Sequence, residues 1–275
     1  MSTAFKLTLQ HIEFDKLLLW ASLFGGVTLL FINQLGKSPI RIKQLSLKDW
    51  LWSAIMGFFN PFLYYLVLFK AYDLLEAQIA GTLNYTWPLA LVIMSAIFLK
   101  QKVSFMSYLA ILVSFFGIVI ISTKGSFTSF GESSLLGILL AVGSSIFWAS
   151  YWIMNIKDKR EETGKVMLNM FFGFIFIIIY MLMMSKDITF PTGYALAGCI
   201  YIGLFEMSLT FVIWLFALKY SVSTAKVSNL IFLSPFIALI FINYYVNEII
   251  HMATIIGLVF IIGGIFLQRF LSTSK

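Results

Sequence analysis

The sequence predicts an all-α integral membrane protein with nine transmembrane helices, and three observations carry that prediction. Of 275 residues, 60% are hydrophobic and only 11% charged, with a mean hydropathy of +0.95. A soluble domain cannot hide so much apolar surface from water. The apolar residues fall into nine segments, at 17–34, 49–70, 77–99, 103–122, 134–154, 166–185, 193–217, 222–246 and 252–270. A helix needs about 20 such residues to cross a bilayer. Finally, the basic residues gather in the short loops and divide unequally. With nine spans, Lys37, Arg41, Lys43, Lys48, Lys100, Lys102, Lys157, Lys159, Arg160, Lys165, Lys219, Arg269 and Lys275 share one face; Lys6, Lys16, Lys70, Lys124 and Lys186 share the other. The richer face is expected in the cytoplasm, with the C-terminus inside and the N-terminus outside.

These loops account for the formal charge of +7. No nucleic-acid partner is expected; the lipid bilayer is. Met1 to Lys16 lacks a basic start followed by an apolar core, so no cleavable signal peptide is expected.

Several spans are not plain apolar helices. In 49–70, Asn60 and Pro61 fall near the centre. Proline removes a helical hydrogen bond and clashes with the preceding turn, which makes Pro61 a bending point. Asn60 either lines a cavity, with Tyr64 one turn further on the same face, or solvates the backbone that Pro61 frees. The span 77–99 carries Asn84, Tyr85, Thr86, Trp87 and Pro88 at its middle. Polar groups at that depth face a bundle interior or a watery cavity. Asn84, Tyr85 and Trp87 are therefore candidate binding residues and Pro88 a second bending point; packing against neighbouring helices is the other reading.

In 134–154, Trp148, Tyr151, Trp152 and Asn155 form a stripe at helical spacing. The stripe is an interfacial belt, or Trp148 and Tyr151 wall a site for a planar or cationic guest. Glu206 stands alone in the middle of 193–217. A carboxylate at that depth is a candidate for binding a proton or a substrate ammonium; a structural hydrogen bond to another helix is the alternative. In the same span Cys199, the single cysteine, is expected to be a buried structural thiol. Lys226 and Asn229 share a face near the start of 222–246, and Pro235 is a third bending point. Lys226 either snorkels to water or holds a carboxylate at an inner gate, and Asn229 is a candidate binding residue. Gly137 with Ala141, and Gly257 with Gly264, permit close helix contact.

The chain repeats itself. A shift of 147 positions (235 − 88) carries Pro88 onto Pro235, Leu83 onto Leu230, Phe69 onto Phe216 and Gly117 onto Gly264. The halves are expected at 1–125 and 126–275. The first copy of the proline helix starts outside and the second inside, so the copies are inverted, as in secondary transporters with a site at the repeat interface. The second half has five spans and the first only four. Symmetry therefore predicts an absent first helix, with Thr3 to Leu7 as its outer end; a truncated chain and a genuine nine-helix protein both fit.

The block Asn84-Tyr85-Thr86-Trp87-Pro88, followed by Gln101-Lys102 and Gly117-Ile118-Val119, resembles the EamA-type branch of the drug/metabolite transporter superfamily. Phe147 to Tyr151, Ser234-Pro235 and Glu248 extend the resemblance over nearly the whole chain. The resemblance implies ten helices in two inverted five-helix repeats, here without the first, which in the family helps wall the central cavity. The NYxWP stretch is similar to that of the bacterial aromatic amino acid exporters. It implies export of small amphipathic metabolites, aromatic or hydrophobic amino acids first, by a monomer in the bacterial inner membrane. Cationic drugs are the alternative cargo, and a truncated non-transporting paralogue the alternative protein.

The sequence offers little for catalysis. His11 and His251 have no partner at metal-ligand spacing, and no phosphate-cradling loop appears. Neither enzyme activity, metal nor cofactor is expected.

Overall fold

The structure, a computed structural model, describes residues 1–36, 39–40, 45–98, 100, 105–125, 134–214 and 233–272. Among them the chain is helical throughout. In order run α1 (Ser2–Leu9), α2 (Phe14–Leu35), α3 (Leu47–Gly57), α4 (Tyr64–Leu74), α5 (Ala77–Asn84), α6 (Trp87–Phe98), α7 (Phe105–Ser122), α8 (Leu135–Lys157), α9 (Glu162–Met183), α10 (Gly193–Tyr201), α11 (Ser234–Phe241) and α12 (Met252–Ser272). Wider π-helical turns join α3 to α4 (Phe58–Leu63), extend α10 (Ile202–Leu209) and end α11 (Ile242–Val246).

Six stretches are long and apolar enough to cross a membrane: Phe14–Leu35, Leu47–Leu74, Ala77–Phe98, Leu135–Asn155, Glu162–Met183 and Gly193–Trp214. Shorter apolar helices at Ile111–Ser122, Ser234–Val246 and Met252–Leu267 accompany them. Each predicted segment thus has a helical counterpart, and the fold is that of an all-α integral membrane protein.

Two boundaries shift by four residues: α4 ends at Leu74 and not at 70, and α9 starts at Glu162 and not at 166. Polar residues begin it because they cap it. The Glu161 carboxylate accepts from Gly164 N at 2.7 Å, and Glu162 sits in the first turn, where the helix dipole favours an acid. Lys165, assigned to a loop by the sequence, is 1% exposed. Its ammonium reaches Glu162 at 2.7 Å and Asp158 O at 3.1 Å.

The spans cross at glycines. A Cβ on Gly203 would overlap Ala21 O of α2, and one on Gly57 would overlap Asn169 O of α9. Gly117 of α7 and Gly257 of α12 likewise meet backbone to backbone, while Gly137 lies against Leu74 and Leu75. Only glycine lets backbones approach so closely, and such contact replaces the hydrophobic force that lipid cannot supply between helices.

Contacts also fix direction. Asp15 and Lys16 of α2 pair with Lys186 and Asp187 beyond the end of α9, whereas Gly26 meets Met170. The two helices are therefore antiparallel. So are α7 and α12: Ser114 Oγ donates to Ile261 O at 3.1 Å, and Gly125 meets Ala253.

Polar ties close both ends. At one, Arg160 grips Asp158 and donates to Ser53 Oγ at 2.8 Å and Asp49 O at 3.1 Å, joining the α8–α9 loop to α3. At the other, α1 lays Phe5 against Phe69 and Tyr72, with ring centroids 4.9 and 5.2 Å apart, while Thr8 covers Gly198. Residues 3–7 lie within α1.

Three outcomes follow. Gly117→Leu should weaken the α7–α12 crossing by about 1–3 kcal/mol in detergent unfolding, as overpacking does. Gly143→Ala, where a Cβ meets open space, should leave the unfolding midpoint unchanged or slightly raised. Burial alone would raise the Asp158 carboxyl, but the Arg160 hydrogen bonds and charge outweigh it and hold the group below its ordinary range. A depressed acid contributes stability above its unfolded pKa, and that contribution is lost as pH falls through the folded value. The difference in unfolding midpoint between wild type and Asp158→Asn should therefore be constant at neutral pH and shrink only below about pH 4.

Candidate functional site

The interrupted helices place the site. Asn60 takes an extended backbone (φ −149°, ψ 118°), so α3 stops short of Pro61 and α4 begins at Tyr64. Pro88 cannot donate a hydrogen bond to Asn84 O, its acceptor four residues back. Helix α5 accordingly ends at Asn84, and α6 starts at Trp87 after a turn over Tyr85 and Thr86. Glu206 lies in the π-helical turn that extends α10, where Ser208 Oγ satisfies Gly203 O at 2.9 Å and Leu204 O at 2.6 Å.

Around these breaks the side chains converge. Asn84 bridges two helices: its Nδ2 donates to Tyr64 Oη at 3.3 Å, and its Oδ1 lies 3.0 Å from Ser144 Oγ of α8. Ser144 has one hydroxyl proton and shares it between Asn84 and Ala141 O at 2.7 Å. Thr86 Oγ1 takes up Leu83 O at 2.8 Å near Ser145 Oγ. The Tyr64 ring packs on Trp148 at 4.6 Å and Tyr65 at 4.7 Å. Tyr65 Oη then donates to Glu206 Oε1 at 3.3 Å. Glu206 is half-buried. It lies close enough to Tyr64, Tyr65, Tyr72, Tyr85 and the Met1 amino group to interact electrostatically with each. The Tyr85 hydroxyl is bonded to Ser234 Oγ, the residue before Pro235. Trp148, Trp152 and Phe211 form an aromatic wall, with Trp152 and Phe211 nearly parallel at 6.4 Å.

The predicted residues therefore divide. Tyr64, Asn84, Tyr85, Trp148 and Glu206 come together. Trp87 is half-buried at the start of α6. Tyr151 is 1% exposed, and its hydroxyl accepts from Asn155 and Asn169, each at 3.4 Å. Its ring packs against Trp148, Trp152 and Phe211. With Asn155 also buried, the stripe is not an interfacial belt. Asn60 is 4% exposed, with Oδ1 unpaired among the described residues, and Pro61 packs on Gly173. Asn229, Lys226 and Gln101 lie outside the described residues. Cys199 is fully buried, as expected.

Sequence reasoning missed Tyr65, Ser144, Ser145 and Phe211. Ser144-Ser145 carried a signal, a polar pair one turn before Trp148 in an apolar helix. Among the described residues, no three His, Cys, Asp or Glu side chains group to hold a metal ion.

Apolar helices that enclose a carboxylate, amides, hydroxyls and an aromatic wall at mid-depth make the architecture of a multi-pass membrane transporter. The chain matches the EamA-like transporter family over residues 1–123 and 135–270, and it belongs to that family. It is 23% identical over 248 residues to the uncharacterized transporter YvbV of Bacillus subtilis (strain 168), covering 89% of this chain and 78% of that one. To an uncharacterized transporter of Clostridium kluyveri it is 26% identical over 251 residues, 88% of this chain and 79% of that one. A stretch of 178 residues, 59% of this chain and 34% of the other, is 26% identical to solute carrier family 35 member F5 of Mus musculus. A solved crystal structure shares the fold, with TM-score 0.66 at 18% identity over 98% of this chain and 96% of that one.

The Asn84 bridge is testable. Asn84→Leu removes two interhelical hydrogen bonds, each worth about 0.6 kcal/mol inside a membrane, so the unfolding free energy should fall by roughly 1 kcal/mol. A denaturant titration in detergent micelles measures it.

Proposed function

We propose that this protein is a secondary transporter that exports small amphipathic metabolites by alternating access, with aromatic and other hydrophobic amino acids as its first cargo. The observation that carries the reading is Glu206, half-buried beside the Tyr65 hydroxyl where three interrupted helices meet. A carboxylate there exchanges a proton or holds a substrate ammonium. Tyr64, Asn84 and Tyr85 supply hydroxyls and an amide for the polar end of a substrate, and the wall of Trp148, Trp152 and Phe211 takes its apolar end. A second cargo, cationic compounds, is favoured by the same carboxylate beside aromatic faces.

Alternating access needs two halves that exchange roles, and the internal repeat supports this. The 147-residue shift carries Gly26 onto Gly173, and it brings Gly57 within one residue of Gly203. The two glycine crossings, α2 with the extended α10 and α9 with α3, thereby change places. The helices equated by the shift, α2 with α9 and α7 with α12, run antiparallel, which favours inverted over parallel repeats. An internal pseudo-dimer of this kind acts as a monomer. Loop charge orients it with the Arg160 end in the cytoplasm of a bacterial inner membrane.

Purified protein in liposomes should release aromatic amino acids with a rate that depends on the pH gradient, and Glu206→Gln should abolish that dependence. Equal flux with and without protein sinks the transport reading. Undiminished pH dependence in the variant moves the coupling site elsewhere.

A further inference from the structure

At the end opposite Arg160, the turn between α4 and α5 is only Leu75 and Glu76, and both helix termini flanking it are occupied by charges from elsewhere in the chain. Lys6 Nζ donates to Tyr72 O at 3.0 Å and Leu75 O at 2.7 Å, at the C-terminus of α4. The Glu248 carboxylate accepts from Ala77 N at 2.8 Å and Gln78 N at 3.1 Å, at the N-terminus of α5. Each charge has the sign its helix end attracts. Gln78, 1% exposed, is wholly committed. Its Oε1 accepts from His251 N at 2.9 Å and Thr254 Oγ1 at 3.0 Å; its Nε2 donates to Ile249 O at 2.9 Å and Glu76 Oε2 at 3.0 Å. Glu76 adds Lys124 at 2.9 Å and His251 at 3.0 Å.

These bonds cross a divide. The turn belongs to α4 and α5, whose neighbour is α8 (Gly137 on Leu74 and Leu75, Asn84 on Ser144). The clamping groups belong to α1, which straddles the divide by packing on α10 and on Phe69 and Tyr72 of α4, and, wholly across it, to the end of α7 and the 248–254 segment between α11 and α12. Helix α5 is a lever of eight residues. One end is clamped at Ala77 and Gln78; the other ends at the break over Tyr85 and Thr86. At 1.5 Å per residue the clamp stands about 11 Å along the axis from Asn84. The links made by Tyr65 to Glu206 and Tyr85 to Ser234 cross the same divide at the site. The sequence makes this clamp one-sided, because the residue that the 147-residue shift pairs with Glu248 is the uncharged Gln101.

We infer that α5 is a gate on the path to Glu206, hinged at Tyr85–Thr86 and latched shut by Glu248 and Gln78 together with Lys6. The inference rests on the transport reading and specifies its regulation: release of the latch opens the site toward this face, and closure seals it. Opening costs several charge-assisted hydrogen bonds at once, so it is cooperative. Burial alone would raise the Glu76 carboxyl, but Lys124 and His251 outweigh it and hold the group below its ordinary range, which keeps this corner of the latch charged at neutral pH.

Two measurements on the full chain test the latch, both in a Cys199→Ala background. In the first, Gln78→Cys and Ile249→Cys are joined by oxidation in liposomes. Cross-linked protein should lose tryptophan flux and regain it on reduction; flux that persists through complete cross-linking overturns the gate. The second needs no substrate. A cysteine introduced by Ser234→Cys is labelled with a membrane-impermeant maleimide added to the face bearing Glu248. Glu248→Ala and Gln78→Ala together remove six hydrogen bonds and should raise the labelling rate at least ten-fold, since the net loss of even one bond to a charged group shifts a two-state opening by about that factor. Circular dichroism and gel filtration establish that the variant is folded, and Glu248→Gln, which retains an acceptor, should fall between. An unchanged rate in folded protein overturns the latch. Faster labelling without flux of any amino acid leaves the latch standing and overturns the transport reading.

Discussion

Hydrocarbon offers no partner to a free backbone group, so every break in a membrane helix must be satisfied by the protein itself. That constraint organises this molecule, because the chain breaks its helices where the cost is greatest. Pro61 and Pro88 interrupt two spans at mid-depth, and π-helical turns loosen the first of these and the extension of α10. Thr86 takes up Leu83 O, Ser208 takes up Gly203 O and Leu204 O, and Asn84 ties the end of α5 to α4 and α8. The polar groups needed to repair the helices are the ones left facing the interior. A structural necessity and a binding site are thus made from the same side chains.

The glycine crossings answer a second constraint. Lipid is as apolar as leucine, so helices gain nothing by hiding leucines from it and must gain from close contact instead. Gly25 with Gly203, Gly57 with Gly173, and Gly117 with Gly257 bring backbones together. The rigid contacts lie beside the flexible breaks: Gly57 directly precedes the π-helical turn at Phe58–Leu63, and Gly203 lies within the one at Ile202–Leu209.

Charge is kept to the ends, where water can share the cost of each ion. Lys165 and Asp15 are buried but paired, Lys165 with Glu162 and Asp158 O and Asp15 with Lys186. Inside the bilayer an acid such as Glu206 is costly, and a polar neighbour like Tyr65 reduces that cost only in part. Retaining such a group is the strongest sign that the interior serves more than packing.

Much of this was legible in the sequence. Apolar runs of bilayer length, basic loops and mid-span prolines are local properties, and the physics of lipid leaves them one solution, a helix across the membrane. Asn84, Tyr64, Trp148 and Glu206 stood out because polarity at that depth is expensive wherever it occurs. The sequence could not show that Tyr151 is buried with its hydroxyl on Asn155 and Asn169, because helical spacing places a residue on a face without saying what covers that face. Nor could it show Tyr65 beside Glu206, or Glu248 at the start of α5, since these partners lie 141 and 171 residues apart. By itself the sequence determined that the chain spans a membrane and that two of its helices break at Pro61 and Pro88. Which side chains meet across the breaks was decided only by tertiary structure, because each meeting depends on how distant helices cross.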